Sequence, residues 1–331
     1  NVLLAVMPSS LTDPQMAGLL AYVEEGNPIL IFDDPFPLAM GSQFGVTGAP
    51  RQPKPSQGGQ MGMMGGGAPP PQPKADGGQA SRLMEQLGIL WKYDRVAFDM
   101  SNPHPEFSQL PAEYLFLTAS GGNEDAFNLL DGVSKGLEEL VAIYAGSIQA
   151  APGLKDGDLT ALITTGPNSG LLEWNEFVDD RPNSMAMMMG GGQAARPASD
   201  PNRRVDVANH VIAAKINRTD EKQANAIFVT DVDMISDFFF QERTFGNLDF
   251  QFDNVTFVLN AVDSLAGVDN FMELRSRRPA HRSLQEVEEE KSAFLKDSAD
   301  KRTEADEKAE EELEKAQERL SARVDEIEAD D

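Results

Sequence analysis

Two pairs of aspartates stand where apolar runs stop. Asp33 and Asp34 follow the run Ile29–Phe32, and Asp231 and Asp233 follow the run 225–230. Paired carboxylates offer hard oxygen ligands to a divalent cation. Asp is equally a preferred helix N-cap and turn residue, and at Asp231 and Asp233 capping and turn formation is the favoured role. In open α/β sheets, ligands bind beyond the carboxyl ends of strands. The four aspartates are therefore the candidate ligand-binding residues.

Other chemistry finds little support. The three histidines are His104 in an NPHPE turn, His210 in a strand pattern and His281 after Arg275, Arg277 and Arg278. They share no metal-ligand spacing. No GxSxG elbow and no GxxxxGK[ST] phosphate loop is present. After the first strand, where a dinucleotide fold carries GxGxxG, the chain reads MPSSLTD. There are no cysteines, hence no thiol nucleophile, disulfide or Cys-held metal. No catalytic residue, cofactor or metal is expected. Two Met-rich stretches, MGMMGGG at 61–67 and MAMMMGGG at 185–192, could attract copper(I) through soft thioethers. Their Gly-rich setting, without His, reads instead as a disordered insertion.

The aspartates need strands to hold them, and the pattern supplies these. Residues 2–7 form an apolar run like a buried parallel strand. Thr12 or Asp13 then caps a helix that has Pro14 near its start, and Met16, Leu19, Leu20 and Val23 recur at helical spacing. Gly26 ends it as a left-handed cap. Further strands are expected over 96–100, 114–119, 140–148, 159–165, 205–216 and 225–230, with short helices at 81–87 and 123–130. A core helix is expected over 252–265. The alternation predicts an α/β fold, a doubly wound, mainly parallel sheet with helices on both sides. One α/β domain, or two α/β subdomains, spans 1–280. Gly/Pro/Met-rich insertions at 41–79 and 184–202 cannot bury enough apolar surface to order themselves.

A different material follows. Residues 281–331 carry 19 acidic and 9 basic side chains and no Gly or Pro. Ala305, Ala309, Leu313, Ala316, Leu320, Val324 and Ile327 recur with an eleven-residue period. That period suits a straight or slightly right-handed helical pairing. It predicts a long, charged, coiled-coil-like stalk with a helical partner, roughly 70 Å long at about 1.5 Å per residue. Arg275, Arg277, Arg278 and Arg282 form a basic collar before it, suited to seating the stalk on acidic residues. The formal net charge of the whole chain is -26. Such a charge opposes nucleic acid and anionic membrane surfaces. No run reaches the length of a membrane span, and Asn1 is no initiator, so the chain reads as a piece of something longer.

Several segments resemble the gliding-motility-associated (GldG-like) family of ABC transporter auxiliary proteins. They are NVLLAVMPSSLTDPQMAGLLAYVEEGNPILIFDDP, LTALITTGPNSGLLEW, AIFVTDVDMISDFFF, NVTFVLNAVDSLAG and LRSRRP. The resemblance implies a fold related to the class I glutamine amidotransferase-like domains, without their catalytic residues. It implies a non-enzymatic subunit on the extracytoplasmic, periplasmic face of the bacterial inner membrane. Segments flanking this chain would anchor it, beside an ABC permease and a separate ATPase. Two other classes compete: a soluble domain binding a small, sugar-like ligand, and a degenerate hydrolase.

Overall fold

The computed structural model describes residues 1–38, 73–119, 123–179, 196–206, 208–245, 252–268 and 270–275. Among the described residues there are eleven strands: β1 (Leu3–Val6), β2 (Pro28–Phe32), β3 (Ile89–Trp91), β4 (Arg95–Asp99), β5 (Tyr114–Thr118), β6 (Glu139–Ile143), β7 (Ile148–Ala150), β8 (Leu159–Thr164), β9 (Ser169–Glu173), β10 (Val211–Arg218) and β11 (Ala224–Val229). The α-helices are α1 (Asp13–Glu24), α2 (Ser81–Leu87), α3 (Trp174–Phe177), α4 (Asp237–Phe245), α5 (Asn254–Ala266) and α6 (Asn270–Arg275). The described residues all belong to one unit, Asn1–Ala119 with Asn123–Arg278.

Seven strands make a mixed central sheet in the order β1-β2-β11-β10-β7-β3, with β8 also paired to β10. β1, β2 and β11 are parallel neighbours, and β10 is antiparallel to β11, β8 and β7. β3 in turn is antiparallel to β7. Most of the strands therefore run one way, as the α/β reading expects, with β10 and β3 reversed. Two short antiparallel ladders, β4–β9 and β5–β6, stand beside this sheet.

Period-two alternation explains why both faces are covered. On β2, Ile29 and Ile31 join Met16, Leu19, Leu20 and Val23 of α1 and Leu83, Met84 and Leu87 of α2 in one core. Leu30 and Phe32 face the other way and pack with Phe257, Ala261 and Leu265 of α5. Helix α1 begins as its sequence dictates. Thr12 is an extended N-cap in a capping box with Gln15, and Pro sits in the first turn. It stops where Gly26 turns left-handed at φ 75°.

Some elements differ from expectation. The run 140–148 is two strands rather than one. Tyr144 takes a left-handed φ of 56° and breaks it, so β6 pairs with β5 while β7 joins the central sheet. No helix forms over 123–130. There Asn128 and Asp131 accept the backbone N–H groups of Leu130 and Val133 and hold turns instead. The strand expected over 205–216 occupies Val211–Arg218. Residues 73–79, assigned to the first insertion, pack on the fold: Lys74 and Ala75 are buried, and Ala75 donates its N–H to the Leu11 carbonyl at 2.7 Å. Likewise 196–202, assigned to the second insertion, lie against the fold, with Pro197 bridged to Val178. The Met-rich stretches, the stalk and His281 lie outside the described residues.

Candidate functional site

The parallel register places Phe32 beside Val229, so β2 and β11 end side by side. Two aspartate pairs nearly two hundred residues apart in sequence thereby become one buried group. Asp33, Asp34 and Asp231 are fully buried, and Asp233 almost so. Carboxylate oxygens of Asp34, Asp231 and Asp233 lie within 4.8 Å of one another.

Each member has a structural task. Asp33 faces the turn after β1 and accepts the Ser9 hydroxyl at 2.7 Å and the Ser9 N–H at 3.1 Å. This latch occupies the position of the missing glycine loop. Asp34 accepts N–H groups from Phe36 at 2.7 Å and Val232 at 2.9 Å. Asp231 accepts from Asp233 at 2.7 Å and from Ile143 at 2.7 Å. Asp233 accepts from Leu38 at 2.8 Å. At each strand end one carboxylate closes a turn, Asp34 on Phe36 and Asp231 on Asp233. The same oxygens keep second lone pairs, and three carboxylates at this spacing suit a hard cation.

Electrostatics makes a proton the first demand of the group. Burial pushes the Asp34 carboxyl well above the usual carboxylate range, and repulsion from Asp231 and Asp233 adds to it. Burial likewise raises Asp231, followed by repulsion from Asp233, against the pull of its two backbone donors and a hydrogen bond with Asp34. A carboxyl whose folded value is raised stabilises the fold fully below its unfolded value of 3.8, and that stability is lost as pH rises through the folded value. Stability should therefore increase as the pH is lowered through the folded value toward 3.8, by up to ~1.4 kcal/mol per pH unit for each proton taken up. Urea midpoints at fixed ionic strength measure this slope. Asp34→Asn should flatten it. An unchanged slope in that variant would assign it to the acidic surface as a whole.

Tyr144 stands nearby. Burial, then Tyr114, Glu113 and Asp233, push its phenol up beyond the alkaline range, so it is a permanent O–H donor and no base. On the outer side of Asp233 opens an apolar cavity of about 750 Å³. Phe107, Tyr114, Phe116, Phe238, Phe239 and Phe252 line it, and Asp233 and Asp237 are its charged lining residues. Sequence reading passed over these aromatics and Tyr144. The FFF run at 238–240 was the one visible signal.

The remaining candidates lie apart. Arg275 is committed within the fold, donating to Asn260 at 3.0 Å and to Asp263 at 2.6 Å, and so ties α6 to α5. Arg277, Arg278 and Arg282 lie outside the described residues. His104 pairs with Glu139 at 2.5 Å and His210 with Asp206 at 3.1 Å, in separate places.

A mixed, mostly one-directional sheet covered on both faces, with a carboxylate cluster at its strand ends, defines an α/β domain of the open-sheet class. The chain belongs to the family described as ABC-type uncharacterized transport system, an auxiliary component, whose model matches residues 1–261. No curated protein matches the chain. Among solved structures it is similar to one described as "mmIFT52 N-terminal domain", with 12% identity, 79% of this chain and 76% of that chain covered, and a TM-score of 0.38. No helix among the described residues is long and apolar enough to cross a membrane.

Proposed function

We propose that this chain is the extracytoplasmic, non-catalytic auxiliary subunit of a bacterial ABC-type transporter of the gliding-motility or envelope-export kind. The family match over residues 1–261 carries the reading. The chemistry of the strand ends supports the non-catalytic part. Its carboxylates hold backbone N–H groups of the turns around them, and the chain has no cysteine to act as an amidotransferase nucleophile. In this reading the domain is a glutamine amidotransferase-like fold put to structural use. Residues 281–331 act as a charged helical stalk that pairs with another helix, and segments outside this chain anchor the parent on the periplasmic face of the inner membrane. A permease and a separate ATPase are its partners.

Affinity capture of the full-length parent from detergent-solubilised membranes, followed by mass spectrometry, tests the assignment. A multi-span permease and an ATPase should be recovered together with it. Recovery of neither, from a parent found free in the soluble fraction, would sink it.

A further inference from the structure

The cavity beside Asp233 has a chemistry that the transporter reading does not use. Its volume of about 750 Å³ falls in the range of sites for single small molecules and is modest for a folded segment of a partner. Its walls are aromatic. Phe107 and Phe116 stack with centroids 5.7 Å apart and planes 7° apart. Phe252 leans on Phe116 at 6.4 Å and on Phe239 at 6.3 Å. Phe238, half exposed, stands at the mouth. The faces of such rings carry negative potential and attract cations.

The charge lining the cavity has the same sign. Asp233 and Asp237 are its ionisable acids, and its lining among the described residues includes no lysine, arginine or histidine. An anion entering here meets repulsion from the carboxylates. A neutral apolar body gains burial alone. A cation with an apolar body gains burial, ring contact and charge attraction together.

We propose that this groove binds a hydrophobic organic cation: one compact aromatic or aliphatic body carrying a single positive charge, with the body against the phenylalanines and the charge toward Asp233 and Asp237. The binding belongs to this chain alone, so its failure would leave the transporter assignment standing, and the reverse holds too.

Tetraphenylphosphonium and tetraphenylborate test it, because they share shape and size and differ in sign. Isothermal titration of the 331-residue chain should show saturable binding of one phosphonium ion per chain. The borate should bind at least about tenfold more weakly, as one lost charge contact of ~1.4 kcal/mol requires. Asp237 is exposed, so Asp237→Asn should leave the fold intact, and it should weaken phosphonium binding by roughly threefold or more. Phe238→Ala should weaken it too. Asp156→Asn, which removes the same charge from an exposed turn outside the groove, should not. Absence of saturable phosphonium binding would overturn the proposal. So would equal affinity for the borate, or equal weakening by Asp156→Asn, since that would reduce the effect to diffuse attraction by an acidic protein.

Discussion

Replacing Arg203 with methionine should lower the unfolding free energy by about 3 kcal/mol, the usual penalty for stranding one member of a buried ion pair. Arg203 makes a two-pronged contact with Glu113, Nε to Oε1 at 2.8 Å and Nη2 to Oε2 at 3.0 Å. The Glu113 side chain is only 2% exposed, so water cannot take over when the guanidinium goes. The planar fork matches the carboxylate in both geometry and charge, which lysine would not do. Methionine keeps most of the stem's packing, so the loss reports the ion pair. Urea denaturation measures it. Glu113→Gln in the same chain should recover part of the loss, because the stranded charge is then gone. A loss under about 1 kcal/mol, the size typical of exposed pairs, would mean that Glu113 is hydrated despite its burial.

A methyl group at position 170 should act nearly as strongly, with Gly170→Ala losing roughly 2–3 kcal/mol through overpacking. Gly170 pairs with Phe98 across the β4–β9 ladder. A Cβ there would stand 2.4 Å from the Arg204 carbonyl oxygen and 2.6 Å from the Phe98 ring. One obstacle is backbone and the other is a fully buried ring, so neither yields as a flexible side-chain tip would. Thermal unfolding of the variant gives the size of the effect. A neutral result would show that the segment 196–206 moves aside at little expense. That segment also donates the Asp206 N–H to Ser169 and the Ala198 N–H to Phe177, so Arg203 and Gly170 probe one seam from two sides.

This seam was illegible in the sequence. Arg203 follows directly on Pro- and Gly-rich chain whose composition reads as insertion, and its partner stands 90 positions away. The strands fared better. Ile29–Phe32 and Ala226–Val229 are continuous apolar runs closed by Asp, and burial on both faces of a central sheet demands such runs. Helix α1 carried its own cap, its proline and its left-handed stop. Both aspartate pairs could be singled out as strand ends, yet not that they would meet. That depends on β11 inserting beside β2, a pairing no local pattern encodes. The cavity was hidden for a related reason. Phe107, Phe116, Phe239 and Phe252 come from separate stretches, and each alone reads as ordinary core. The break at Tyr144 escaped because tyrosine seldom takes a left-handed φ, a conformation that usually announces itself as glycine.

The break at Tyr144 has a consequence for how the molecule comes apart. β6 and β7 are separated only by residues 144–147, and this short corner is fastened on every side. Gly146 donates to the Thr230 carbonyl at 3.0 Å, Thr230 returns its hydroxyl to the Gly146 carbonyl at 3.0 Å, and the Tyr144 N–H reaches Glu113. The β5–β6 ladder thus cannot detach while β7 stays paired without tearing the corner from the end of β11. The two sheets should behave as one foldon. Their amides should exchange with solvent through a shared global opening rather than piecemeal.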